Sequence, residues 1–172
     1  MSWVEGASIP ENFLTGRPEF YTSSLRFATN ETPFQAFQAL VLCSGLKKGD
    51  NVLIHAGASG VGTAAIQLSR LYGAYVSNCW FSLDAHYEHK CSKTVIATAS
   101  SKEKLDGLLA MQNGATHVVN YKTQDFSAEV KKITEGKGVD VIIDFVAQSH
   151  WNKNIDSLAL DGRMTMLGAL SG

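Results

Sequence analysis

The sequence predicts an α/β fold of the doubly wound kind, a parallel sheet with crossover helices on both faces. Three observations carry that expectation. From Asp50 onward, short β-branched runs alternate with segments of helical period. Several of those runs are apolar almost without interruption, as strands covered on both faces should be. A glycine-rich turn joins the first run to a helix, and the strand, helix, strand pattern then repeats down the chain.

Taken in order, Pro33 to Asp50 reads as a leading helix with Phe34, Phe37, Leu40 and Val41 on one side, and its last residues turn the chain into a first strand, Asn51 to Ala56. The helix after the glycine turn places Val61, Ala64, Ala65, Leu68, Leu71 and Tyr72 in one stripe, with Gly73 as its stop. Thr94 to Thr98 is the second strand. The helix behind it opens with Ser100 and Glu103 at capping-box spacing and ends before Asn113-Gly114. His117 to Asn120 follows as the third strand, then a helix capped by Ser127 that buries Val130 and Ile133 and stops at Gly136. Val139 to Phe145 is the fourth strand. A helix from about Ser149 runs through Trp151, Ile155 and Leu158 to a turn at Asp161-Gly162, and Arg163 to Leu167 is the fifth strand. Trp151, Met164 and Met166 read as core, and Cys43 as a buried thiol.

Length and composition bound the function. The 172 residues, 45% hydrophobic and 18% charged, suffice for one full core and not comfortably for two. A net charge of −1 with no long Lys/Arg run argues against nucleic acid or an anionic membrane as partner. No apolar run reaches the 18 or so residues of a membrane span, and the N-terminus lacks a basic region followed by an apolar one. A soluble, cytoplasmic protein is expected. Cys43, Cys79 and Cys91 are odd in number, which suits free thiols better than a disulfide frame.

Gly57-Ala58-Ser59-Gly60-Val61-Gly62 is a G-x-S-x-x-G variant of the G-x-G-x-x-G dinucleotide fingerprint. The first glycine permits the tight turn, the middle position faces the pyrophosphate, and the last lets helix and strand approach. Backbone N–H groups at the helix start, aided by the macrodipole, would meet the phosphates. Ser59 narrows the turn by one side chain, and its hydroxyl can itself bond a phosphate. Glycines that merely shape a β-α turn are the bland alternative, and the flanking strand and helix count against it.

An acid that reads the ribose 2′-hydroxyl of NAD is expected about 20 residues further on. Asp84 lies 22 residues after Gly62, yet its surroundings form no clean strand. With the 19 residues of 77–95 set aside, the helix end, the strand and the next helix become continuous, and Ser101 falls 20 residues past Gly62. Lys102 and Lys104 follow it, so the position holds no carboxylate to repel a 2′-phosphate, and NADPH is the expected cofactor. Helix capping by Ser100 and Ser101 is compatible with that role.

The stretches EGASIPENFLT, AFQALVLCSGLKKGDNVLIHAGASGVGTAAIQLSRLYGA, IATASSKEKL, NGATHVVNYKTQDFS and GVDVIIDFVAQSHWNKNIDSLALDGRMTMLGALSG cover most of the chain. Through them it resembles the quinone oxidoreductase (zeta-crystallin-like) branch of the medium-chain dehydrogenase/reductase superfamily, and looks closest to its tumour-suppressor-inducible members. The resemblance implies a Rossmann-type domain over 36–172, with NADPH held by Gly60, Val61, Gly62, Ser101 and Tyr121 and with Lys102 nearby. It implies zinc-independent hydride transfer to a quinone, and a homodimer or a heterodimer with a full-length parent. Against the family, 16–35 and 77–95 are extra, as true insertions or as retained non-coding sequence. The substrate domain expected upstream and the chain expected downstream are missing, so the sheet should be incomplete on its C-terminal side.

Other constellations carry less. Cys79, His86, His89 and Cys91 lie in the 77–95 segment at a spacing unlike a finger or ribbon, and no metal is expected. His55 reads as a hydrogen-bonded core histidine. Gly57-x-Ser59 lacks the final glycine of a nucleophile elbow, which argues against a hydrolase. Two rival functions stand beside the reductase: a non-catalytic nucleotide-binding or interaction protein, and a Rossmann domain for another ligand such as S-adenosylmethionine.

Overall fold

The structure, a computed structural model, describes residues 31–75 and 94–171. Its centre is a five-stranded parallel sheet in the order β3-β2-β1-β4-β5, formed by β1 (Asn51–Ile54), β2 (Thr94–Ala99), β3 (His117–Asn120), β4 (Val139–Asp144) and β5 (Leu158–Met166). The chain moves outward from β1 to β2 and β3, then crosses to β4 and β5. The reversal opens a crevice at the C-terminal ends of β1 and β4, the expected ligand position in a doubly wound sheet.

Two apolar layers sandwich the sheet. On one face α1 (Glu31–Phe37), α2 (Gly60–Tyr75) and α3 (Lys102–Ala110) bury Ala36, Ala65, Ile66 and Leu108 against Val52, Ile54, Val95, Ala97, Val141 and Ile143. On the other, α4 (Phe126–Ile133) and α5 (Trp151–Ser157) cover Leu53, Ile96, Val119 and Ile142, with Phe126 and Val130 inserted between. The alternation along each strand sends neighbouring residues to opposite layers, which is why β1, β2 and β4 are buried along almost their whole length. No helix among the described residues is long and apolar enough to cross a membrane.

Several boundaries differ from the sequence expectation. The leading helix widens to a π-helical segment, Gln38–Cys43, so that Ala39 and Leu40 face the core together while Phe34 is 50% exposed. Cys43 is exposed, not buried. Gly73 lies inside α2, which continues to Tyr75. The N-cap of α3 is Ser101 rather than Ser100, and its side chain makes no capping bond, so no capping box forms. The cap of α4 is Asp125, whose carboxylate accepts the N–H of Ser127, rather than Ser127 itself. After α5 the strand begins at once: Leu158 is in β5, and Asp161-Gly162 is an interruption within that strand. Between β4 and β5 the register jumps from Val139↔Leu158 to Val141↔Arg163, and Asp161 takes φ 61° to accommodate the extra residues. Trp151 and Met166 are about half exposed, not core, whereas Met164 packs against the second layer. Thr94 and Val95 belong to β2; the remainder of 77–95, with Asp84, Cys79, His86, His89 and Cys91, lies outside the described residues, as do 1–30.

Candidate cofactor site

The glycine turn leaves the C-terminal end of β1 and starts α2. A Cβ on Gly62 would stand 2.5 Å from the Ala56 carbonyl and 2.9 Å from the Gly57 Cα, so this glycine brings helix and turn together. A Cβ on Gly57 would meet the Ala97 Cβ at 2.9 Å, which packs the turn against β2. Ser59 is exposed, and its Oγ accepts the Gly62 N–H at 3.1 Å. One lone pair of that oxygen therefore caps α2, and the hydroxyl proton, which has no acceptor among the described residues, is still available to a phosphate oxygen. The cap has a useful consequence: it occupies the third N–H of the helix and leaves those of Gly60 and Val61, which have no acceptor within the helix. Those two N–H groups and the open position at Ser59 fit a diphosphate.

The exits of β2 and β3 lie along the same edge. The pairing Thr98↔Val119 and Ala99↔Asn120 brings the residues that follow, Ser101 and Tyr121, to neighbouring positions. Ser101 is half-buried at the start of α3 with its hydroxyl unused by the helix, Lys102 and Lys104 are exposed, and Tyr121 is 39% exposed. Glu103 is the acid in that first turn, also exposed. The structure thus places Gly57, Ser59, Gly60, Val61, Gly62, Ser101, Lys102 and Tyr121 at the C-terminal ends of three adjacent strands.

A buried polar group beside the crevice went unread in the sequence. His55, the hydrogen-bonded core histidine expected there, pairs its Nδ1 with the Thr98 hydroxyl at 3.0 Å and its Nε2 with Asn154 Oδ1 at 2.7 Å. Asp144 accepts from Val146 N–H, Ala147 N–H and Asn154 Nδ2. Burial pushes the His55 imidazole down to about 4, with the nearby His150 acting in the same direction and the Asn154 bond opposing both. Burial also lowers His150, against the pull of Asp144. The His150 ring lies 4.8 Å from His55, 5.0 Å from Phe126 and 5.7 Å from Tyr121, and its Nδ1 is buried with no hydrogen-bond partner among the described residues. The signal that could have flagged this group is a polar residue two places after an apolar one on three separate strands: Leu53 and His55, Ile96 and Thr98, Ile142 and Asp144.

His55, Asp144 and His150 bring one donor atom each within 4.8 Å of one another. They do not suit a cation. Both His55 nitrogens and both Asp144 oxygens already hold hydrogen bonds, and a metal would strip them from a buried network.

Comparison with known proteins finds reductases and dehydrogenases that share this fold. Residues 88–172 match the family described as zinc-binding dehydrogenase. A 2-haloacrylate reductase from Burkholderia sp is 37% identical over 74% of this chain and 32% of its own length. A quinone oxidoreductase from Pongo abelii is 31% identical over 79% of this chain and 35% of its own. A crystal structure of an NAD-dependent alcohol dehydrogenase superposes with TM-score 0.65 at 35% identity, covering 82% of this chain and 35% of that one. The chain spans about a third of the length of the curated reductases named here.

Proposed function

We propose that this chain is the NADPH-binding part of a reductase of the medium-chain dehydrogenase/reductase superfamily, one that passes hydride to a quinone or a related enone. One observation carries the reading. Two N–H groups without an acceptor in their own helix, on Gly60 and Val61, stand at the crevice edge that also bears Lys102 and a Ser101 hydroxyl with no hydrogen bond among the described residues. The diphosphate goes to the start of α2. Ser101 and Lys102 take the 2′-phosphate, and Tyr121 flanks the adenosine.

Bound NADPH would supply the hydride; the chain's share is to bind, orient and exclude water. No residue is assigned as a catalytic acid or base. The reading uses no metal, because both His55 nitrogens and both Asp144 oxygens already hold hydrogen bonds. Of the superfamily's branches, the tumour-suppressor-inducible quinone reductases are the ones we favour, on the HAGASGVGTAAIQL and LALDGR stretches.

A second reading is nucleotide binding without turnover, and the open edge of the sheet favours it. In it the chain pairs with a second copy or a full-length relative along β5, which pairs with β4 alone among the described residues and exposes Leu160 at 93%. Titration with NADPH and NADH, followed by a quinone turnover assay, separates the readings. Tighter NADPH binding with turnover supports the reductase, and binding without turnover supports the second reading. A preference for NADH contradicts the roles given to Ser101 and Lys102, and no binding of either contradicts the site.

A further inference from the structure

The sheet face under α4 and α5 changes character at its C-terminal edge. The strands that present Leu53, Ile96 and Ile142 to those helices present His55, Thr98 and Asp144 two residues later, all 0% exposed. Asn154 of α5, equally buried, completes the layer. One Asp144 oxygen accepts the Val146 N–H at 2.8 Å, and the other accepts the Ala147 N–H and the Asn154 amide, both at 3.1 Å. A carboxylate only accepts, so Asn154 turns its nitrogen toward Asp144 and its oxygen toward His55. That fixes the imidazole as the Nε2–H tautomer, 2.7 Å from Asn154 Oδ1, and makes Nδ1 the acceptor for the Thr98 hydroxyl. Every proton direction from β4 through α5 and β1 to β2 follows from Asp144.

The two backbone donors belong to the loop that leaves β4. Ala147 there has φ 69° and ψ −119°, a conformation that a residue with a Cβ adopts only when its surroundings impose it. The loop stands next to the glycine turn, since β1 and β4 are paired and the His55 N–H reaches the Ile143 carbonyl at 3.0 Å. With the diphosphate at α2 and the adenosine end read at β2 and β3, the other half of a dinucleotide must extend toward β4 and β5.

We propose that Asp144 is a positioning residue for that half of the cofactor: its carboxylate holds the backbone of residues 145–147 in shape as the crevice wall, anchored through Asn154 and His55. The proposal rests on the reading of the glycine turn as a diphosphate site. Asp144→Asn offers one oxygen where three N–H donors converge, so at least one of Val146, Ala147 and Asn154 is left facing an amide. The test compares NADPH with 2′,5′-ADP, which carries the adenosine end alone. NADPH affinity should fall roughly tenfold in Asp144→Asn while 2′,5′-ADP affinity stays within about twofold. Equal weakening of both ligands, or of neither, would overturn the proposal. If Asp144→Asn is insoluble, Asn154→Ala decides on the same two affinities. Nitrogen NMR of His55 gives an independent readout: Nε2–H is expected, and the Nδ1–H tautomer would overturn the network. A native chain that binds neither ligand sinks the diphosphate site, and this proposal with it. One that binds both, with an indifferent Asp144→Asn, sinks this proposal alone.

Discussion

The two faces of the sheet finish differently at the edge where the crevice opens. Under α2 and α3 the last inward residues are Ile54, Ala97, Ala99 and Ile143, and the turn above them is closed by glycines: Gly62 lets backbone meet backbone, and Gly57 lets the turn sit on the Ala97, Leu108 and Ile66 side chains. Under α4 and α5 the last layer is His55, Thr98 and Asp144, joined by Asn154. One face shapes its loop by leaving side chains out. The other shapes its loop by hydrogen-bonding to the backbone. The first arrangement fails by steric collision and is indifferent to protons, whereas the second can be loosened by a proton.

The comparison breaks most sharply at Gly62→Ala. The new Cβ would press on the Ala56 carbonyl and the Gly57 backbone, neither of which can swing aside, and we expect a loss of about 3 kcal/mol together with NADPH binding. A thermal melt checks it; an unchanged midpoint would mean that the turn relaxes freely. Acid should act on the opposite face by a similar amount. The folded His55 titrates at about 4 against an ordinary 6.5, so the unfolded chain binds more protons between those values. Stability from this group is whole above pH 6.5 and is lost as pH falls toward 4, by about 3 kcal/mol, and the lowered His150 adds in the same direction. Denaturant midpoints at pH 7 and pH 4.5 would show it, and equal midpoints would remove the proton sensitivity attributed to this face.

Smaller effects sharpen the contrast within the glycine face. Ser59→Ala deletes the cap on the Gly62 N–H and should cost about 1 kcal/mol, while NADPH affinity falls by no more than about threefold, the loss of one hydroxyl contact, because the Gly60 and Val61 amides are untouched. A melt with a parallel titration separates the two quantities. Ser101→Ala should leave the melt where it is, since that hydroxyl does not bond the helix, and weaken NADPH by roughly threefold to tenfold without affecting NADH. Equal loss for both cofactors would deny Ser101 a part in reading the 2′-phosphate.

The strands and the glycine turn were legible because a buried parallel strand is apolar on both sides and a close helix-strand crossing tolerates only glycine. The α5 to β5 boundary was misread for a physical reason: Leu158 continues the helical spacing of Trp151 and Ile155, and Asp161-Gly162 has turn chemistry that the chain uses to loop out inside a strand. The caps slipped by one or two residues, because Ser100, Ser101, Asp125 and Ser127 are all good capping types and only the backbone decides among them. The polar layer was illegible apart from His55, since its partners Thr98 and Asn154 lie 43 and 99 residues away from it. Its meaning depends on which strands become neighbours.

The central claim is that the backbone amides opening α2 hold the diphosphate of a dinucleotide. Amide NMR during an NADPH titration tests it most directly. The account predicts large, saturable shifts of the Gly60 and Val61 amides together with the Ser101 amide. Saturating NADPH that moves resonances elsewhere and leaves Gly60 and Val61 in place would contradict it.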